Sequence, residues 1–255
     1  MFHLKPPRAT INDTNPRLIN FYRQIKENPK QVIAKAKTFQ HPRNSPDPER
    51  PFACKNRKQK EIKKYYYQQR EIFNNRPYGD PFDELQEAAL FLYLNRTCYN
   101  GLYRENSQGG FNVPIGSYKN PDWVREEEIL DAHRVLKSVS ILNQDFECVL
   151  ELAKPGDFIY FDPPYEPMSP TANFTDYSAD GFGRDDQIRL LNLIKTLDEN
   201  GVHFMLSNSG IMAQLYQDAD FQVEIVQAKR AINSNGQKRG DVDEVIVTNY
   251  SLSAD

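Results

Sequence analysis

A four-residue apolar run, Phe158-Ile159-Tyr160-Phe161, stops at Asp162-Pro163-Pro164-Tyr165. Two consecutive prolines fix two φ angles and remove two backbone donors, so neither a helix nor a paired strand continues through them. The run reads as a buried strand whose carboxyl end carries acceptors alone: rigid carbonyls beside an Asp carboxylate. Such a patch is suited to gripping an N–H₂ group, and a tyrosine at its edge can stack on a flat ring.

The rest of the chain alternates strands and helices around this point. Residues 8–15 read as a short strand entering a turn, with Asn15 as N-cap and Pro16 as first residue of a helix over 15–29. A second helix is predicted over Val32–Phe39, a Pro-, Arg- and Asn-rich linker over 41–57, and helical spacing over Lys58–Phe73. Residues 83–99 form an amphipathic helix pattern, and Gly, Asn and Pro punctuate 106–121 as a loop or hairpin. Helical pattern resumes over Asp122–Ser138, followed by a strand in 138–146. Residues 184–201 read as a helix stopped by Gly201, residues 202–209 as another buried strand, and 220–228 with 243–250 as a closing pair. The order predicts an α/β core with a mostly parallel sheet.

Charge and cysteine usage narrow the class. A net charge of -3 excludes a uniformly basic nucleic-acid binder but leaves room for a local basic face. Residues 54–70, CKNRKQKEIKKYYYQQR, are such a stretch. On their own they read as a solvated helix face, and basic residues interleaved with aromatics also suit a phosphate backbone. Cys54, Cys98 and Cys148 are scattered without CxxC pairing, which points to reduced thiols, with Cys98 a small buried hydrophobe. The four histidines show no metal spacing, so no metal is expected. No run approaches the apolar length of a membrane helix and the first residues lack the apolar stretch of a secretory signal, so a cytoplasmic chain with no membrane partner is expected.

Ligands of open α/β sheets bind beyond the carboxyl ends of the strands. Three acids, Asp13, Asp145 and Asp162, fall at such ends. Carboxylates there suit ribose hydroxyls, an adenine amine and a substrate amine; they do not suit phosphates, and no GxxxxGK[ST] occurs. An exocyclic amine on a nucleobase is a poor nucleophile because its lone pair is conjugated into the ring. Hydrogen bonds from both its hydrogens, to Asp162 and the Pro163 carbonyl, would pull the nitrogen toward tetrahedral geometry and ready it to attack an electrophilic methyl group.

Several longer blocks add a resemblance. INDTNPRLINFY, YYYQQREIFN, FLYLNRTCYNGLYRENSQGGFNVPIGSYKNP, DFIYFDPPYEPMSPTANFTDY, HFMLSNS and RAINSNG with DEVIVTNY resemble the Dam family of DNA adenine-N6 methyltransferases, the D12 class, across nearly the whole chain. DPPY alone is moderately specific; the block 91–121 is highly specific. The resemblance implies a class I S-adenosylmethionine-dependent methyltransferase sheet, Rossmann-like and doubly wound. The core is expected over 1–50 and 125–255, with a mainly helical target-recognition subdomain inserted over 51–124. It further implies that Asp13 binds the ribose hydroxyls of S-adenosyl-L-methionine and that Asp145 and Phe146 line its adenine pocket. Asp162, shared with the cofactor side, Pro163, Pro164 and Tyr165 would hold an adenine flipped out of double-stranded DNA. Tyr99 and Asn100 would occupy the gap it leaves. Leu102, Arg104, Pro114 and Tyr118 would read base edges, Arg104 being suited to guanine O6 and N7, and Asn106 and Lys119 belong to the same DNA-contacting block. A GATC-like target, a monomer and a restriction endonuclease as companion complete the implied picture. Residues 169–182 resemble the family's loop beside the flipped base, and 230–240 either grip phosphates or form a solvated hairpin turn.

One departure is large. Members of the family begin with a Lys- and Gly-containing segment and a first strand ending in an FxGxG-type turn, which holds the methionine part of the cofactor; neither is found in this sequence. That strand lies mid-sheet, between the second and fourth. Buried backbone groups left unsatisfied cost about 1–3 kcal/mol each, against a net stability of about 5–15 kcal/mol. The 255 residues alone are therefore expected to bind S-adenosylmethionine poorly and to fold weakly. A start codon further upstream or a truncated gene would account for the departure, and a truncated gene would leave a DNA-binding remnant without methyl transfer.

Overall fold

Asn15 starts the first helix of the chain in the computed structural model, which describes residues 6–49, 64–75, 83–165, 182–229 and 241–251. Two compact units divide the chain, Met1–Phe146 and Glu147–Asp255.

In the first unit, strands β1 (Ala9–Asn12) and β2 (Val139–Leu142) pair in parallel, Ala9 opposite Val139 and Asn12 opposite Leu142. All the helices of this unit lie in the crossover between them, as a parallel pair requires. Helix α1 (Pro16–Glu27) is capped by Asn15, whose Oδ1 accepts from the backbone N–H groups of Arg17 (2.9 Å) and Leu18 (3.2 Å). Helix α2 runs over Pro29–Lys37 and begins earlier than its apolar spacing predicts, because Pro29 sits at a first helical position. Helix α3 (Tyr65–Asn74) has no side-chain cap; the backbone N–H groups of Tyr65 and Tyr66 donate instead to the Asn44 and Pro42 carbonyls at 2.8 and 3.1 Å. The predicted helical residues 58–63 lie outside the described ones.

Helix α4 (Glu84–Thr97) is buried on nearly every side and carries two clusters. Leu90, Phe91, Tyr93 and Leu94 join Tyr65, Tyr66, Tyr67, Phe73 and Phe111 in an aromatic core. Ala88 and Leu92 face Ile25, Val32, Ile33, Ile129 and Leu136 in an aliphatic one. Glu87, fully buried, lies 3.8 Å from Arg17 and accepts from Asn20 Nδ2 at 2.9 Å, while the Arg17 guanidinium sits 4.1 Å over the Phe73 ring. This buried set ties α1, α3 and α4 together. Helix α5 (Glu126–Leu136) begins later than the predicted Asp122, because Arg125 takes the left-handed conformation (φ 45°) and breaks the helical path. Trp123 fills a packing role, edge-on to Tyr93 at 5.5 Å.

The second unit opens with a single turn, α6 (Val149–Leu152), and holds a four-stranded sheet in the order β3-β4-β6-β5. Strands β3 (Phe158–Phe161) and β4 (His203–Ser209) are parallel; β5 (Gln222–Lys229) and β6 (Asp241–Thr248) form the closing antiparallel pair, with β6 also antiparallel to β4. Helix α7 (Arg184–Glu199) packs on β4 through a face of Leu190, Leu193, Ile194 and Leu197. It ends as read from sequence, with Gly201 in the left-handed region at φ 69°. After β4, helix α8 (Ala213–Gln217) buries Tyr216.

Two expectations need correction. The described strands form two sheets rather than one, and only two of the four pairings are parallel, because the closing β5-β6 pair turns back on itself. Strand β3 is not buried on both faces. Phe158 is 57% and Tyr160 56% exposed, since β3 is an edge strand and only the face carrying Phe161 is covered among the described residues.

Candidate active site

The carboxyl ends of β1 and β2 interlock through side chains that amount to a second ladder. Asn12 Oδ1 accepts from the Gln144 N–H at 3.0 Å and Asn12 Nδ2 donates to the Gln144 carbonyl at 3.0 Å and the Asp145 carbonyl at 3.4 Å. Asn143 Nδ2 returns the favour, donating to the carbonyls of Asp13 (2.8 Å) and Thr14 (3.0 Å). Asp13 Oδ1 accepts the Asn15 N–H at 2.7 Å, just before the helix. Asp13 and Asp145 are thus brought to neighbouring strand ends, with Phe146 next in the chain. Burial, and secondarily the negative charge of Asp13, raises the Tyr22 pKa above its ordinary value.

In the second unit, Asp162 follows β3 directly and Ser207 stands beside it on β4. Ser207 Oγ donates to Asp162 Oδ1 at 3.0 Å. Its single hydrogen being spent there, the Tyr160 hydroxyl is the donor in its 3.1 Å contact with Ser207 Oγ. Tyr165 donates to Glu244 Oε2 at 3.4 Å, and Gln187 Nε2 donates to the Pro164 carbonyl at 3.3 Å. Burial raises the Tyr165 pKa, and the charges of Glu244 and Asp162 add to the rise. Among the described residues nothing donates to Asp162 Oδ2 or to the Pro163 carbonyl. Two acceptors at the strand end are therefore without a donor among the described residues.

The block after α4 folds back on itself within the first unit. The Tyr99 N–H donates to the Pro114 carbonyl and the Gly116 N–H to the Thr97 carbonyl, both at 2.8 Å, and isolated bridges pair Cys98 with Ile115 and Glu105 with Phe111. A Cβ on Gly116 would stand 2.7 Å from the Cys98 carbonyl and from the Tyr118 ring, so only glycine lets the two segments meet. Tyr99 and Tyr118 are exposed on this fold, Asn100 beside them is exposed in the left-handed region at φ 54°, and Pro114 and Lys119 are exposed as well. Arg104 is held by its Nε donating to Asn112 Oδ1 at 2.7 Å. Leu102 is half-buried against the aromatic core, and Asn106 serves its own turn by accepting from the Gln108 (3.0 Å) and Gly110 (2.9 Å) N–H groups. Cys98 is fully buried, and its thiol is pushed up to about 12 by desolvation.

Sequence reading missed Ser207, Gln187 and Glu244. The signal present was the polar Ser207-Asn208-Ser209 run closing an otherwise apolar strand. Residues 169–181 of the predicted loop over 169–182, residues 54–63 of the basic stretch over 54–70, and the segment 230–240 lie outside the described residues. Among the described residues no helix is long and apolar enough to cross a membrane.

The family model for D12 class N6 adenine-specific DNA methyltransferases matches residues 1–235. The chain is 40% identical over 253 residues to the Type II methyltransferase M1.LlaDCHI of Lactococcus lactis subsp. cremoris, covering 98% of this chain and 82% of that protein. It is 38% identical over 247 residues to the Type II methyltransferase M.MjaIII of Methanocaldococcus jannaschii, covering 95% of this chain and 80% of the relative. Against the DNA adenine methylase of Vibrio cholerae the identity is 37% over 242 residues, 94% of this chain and 79% of the relative. With a family match over most of its length and relatives of this identity and coverage, and with a mixed α/β fold consistent with such enzymes, the chain belongs to the D12 class of N6 adenine-specific DNA methyltransferases.

Proposed function

We propose that this chain transfers a methyl group from S-adenosyl-L-methionine to N6 of an adenine rotated out of double-stranded DNA, at a GATC-like site. The observation that carries the reading is the pair of acceptors at the end of β3. Asp162 Oδ1 is held by Ser207, while Oδ2 and the Pro163 carbonyl stand ready for the two amine hydrogens. Accepting both draws the nitrogen lone pair out of conjugation. Once the nitrogen is alkylated its proton is acidic, so no strong base is needed beforehand. Tyr165, held by Glu244, supplies the ring on which the adenine stacks.

The donor set suits the cofactor. Asp13 and Asp145 are carboxylates at adjacent parallel strand ends, the residue type that accepts from ribose hydroxyls and an adenine amine, with the half-buried Phe146 ring as an apolar neighbour. Bound there, the cofactor supplies an electrophilic methyl group. In this reading residues 51–124 form a recognition insert in a core of 1–50 and 125–255. Tyr99, Asn100, Leu102, Arg104, Asn106, Pro114, Tyr118 and Lys119 then face the duplex. The exposure of Tyr99, Asn100 and Tyr118 supports this. We place the chain in the cytoplasm as a monomer, and the Type II names of two relatives favour a restriction endonuclease as its companion.

A second reading, a DNA-binding remnant without methyl transfer, is favoured by the outer edges of β1 and β3, which have no strand partner among the described residues, and by the exposed Phe158 and Tyr160. Expression in a host free of adenine methylation, followed by digestion of plasmid DNA with nucleases blocked by or dependent on methylated GATC, tests the first reading. Protection that vanishes in Asp162→Ala supports it; unprotected DNA together with retained duplex binding supports the remnant.

A further inference from the structure

Beneath the Asp162-Pro163-Pro164-Tyr165 turn lies a fully buried chain of amides with a single possible polarity. It starts at a backbone donor, the Ser209 N–H, which gives its hydrogen to Asn208 Oδ1 at 2.8 Å. A backbone N–H cannot accept, so that end of the Asn208 carboxamide is the oxygen. Asn208 Nδ2 must then donate, and it does so to Gln187 Oε1 at 2.9 Å and to the Tyr216 hydroxyl at 3.2 Å. With its oxygen assigned, Gln187 can present only Nε2 to the Pro164 carbonyl, 3.3 Å away. Gln187, Asn208 and Tyr216 are all completely buried. Buried polar groups held this way keep one arrangement, because any flip of either amide sets oxygen against oxygen among fully buried side chains.

The Pro164 carbonyl shares a peptide plane with the Tyr165 N–H. Fixing that carbonyl fixes the peptide plane from which the Tyr165 side chain departs. The hydroxyl at the far end of the same ring is held by Glu244. The hydrogen bond also occupies one lone pair of the Pro164 carbonyl, whereas among the described residues nothing donates to the Pro163 carbonyl.

We propose that Gln187 is a positioning residue for the captured base, setting the Tyr165 ring and the choice of acceptor carbonyl through its hydrogen bond to Pro164, with Asn208 fixing its polarity. The inference rests on the base-capture reading above. Gln187 touches neither base nor cofactor in this role; it acts through the turn.

The test uses a duplex with 2-aminopurine in place of the target adenine, whose fluorescence rises when the base leaves the stack and changes again when a ring packs on it. The chain, Gln187→Met and Gln187→Glu are compared for duplex affinity, fluorescence change and single-turnover methyl transfer to the natural duplex. Gln187→Met keeps the volume and loses the donor. It is expected to bind the duplex as the unaltered chain does, to lose the fluorescence change, and to transfer methyl groups more slowly by on the order of 100-fold, the cost of an ångström-scale misplacement. Gln187→Glu provides the readout that loss of packing would not move. Burial raises a carboxyl pKa, so below that value the neutral acid donates to Pro164 and base capture is retained. As pH rises through it, the carboxylate opposes the carbonyl and capture is lost, while circular dichroism shows the fold intact.

Equal fluorescence and transfer rates in the unaltered chain and Gln187→Met would overturn the inference alone. So would a Gln187→Glu response that does not change with pH, and this variant decides the matter if Gln187→Met fails to fold. Absence of any fluorescence change with the unaltered chain would overturn the base-capture reading and the inference with it.

Discussion

Ser207 Oγ lies 3.0 Å from Asp162 Oδ1 and gives the carboxylate its one hydrogen bond among the described residues. The two side chains come from neighbouring parallel strands and meet just past the end of β3. Hydrogen bonds to charged groups contribute about 1.5–3 kcal/mol. Ser207→Ala is therefore expected to slow single-turnover methyl transfer by roughly 10- to 100-fold. The melting temperature should change little, because Asp162 itself is exposed and needs no partner to remain solvated.

Glu87 is expected to be the most costly charge to remove from the first unit. It is fully buried between Arg17 and Asn20, and its loss leaves the Arg17 guanidinium uncompensated. Removing one partner of a buried pair costs about 3–5 kcal/mol. Urea unfolding of Glu87→Ala should show a loss of that size. The double variant Arg17→Met, Glu87→Leu should recover much of it, since apolar residues of similar volume need no compensation.

Cys98 makes one contribution of definite sign to the pH dependence of stability. Desolvation raises its thiol from 9.0 to about 12, so the folded chain holds that proton more tightly than the unfolded one. The contribution is complete below 9.0 and is lost as pH rises toward about 12. The urea midpoint of the unaltered chain is expected to fall over that interval, and less steeply in Cys98→Ala. The same shift makes Cys98 inert: native alkylation at neutral pH, followed by mass spectrometry, should leave it unlabelled.

Phe158 and Tyr160, 57% and 56% exposed, lie on one face of an edge strand that is left uncovered among the described residues of the second unit. In α/β sheets such faces are ordinarily covered. The 255 residues alone are expected to bind S-adenosylmethionine more weakly than micromolar by calorimetry. Micromolar binding by the 255 residues as they stand would contradict this.

The features legible in the sequence are those decided within a few residues. Asn15 and Pro16 define a helix start because capping is a contact between a side chain and N–H groups two and three residues on. Gly201 ends α7 because only glycine enters the left-handed region without cost. Asp162-Pro163-Pro164 ends β3 through covalent geometry alone, and Asp13 and Asp145 stand at strand ends because the polar residues that stop a strand are its neighbours in the chain.

What only the tertiary structure decided is which partners those residues meet. Asp162 is anchored from Ser207 on the adjacent strand, Tyr165 from Glu244 on β6, and Pro164 from Gln187 on α7. None of these partners is near in sequence, and none carries a periodic signal, because pairing register and helix placement select them. The exposure of Phe158 and Tyr160 was hidden for the same reason. An apolar run records that a strand suits burial on both faces, whereas its neighbours in the sheet and the layers above it determine which face is covered.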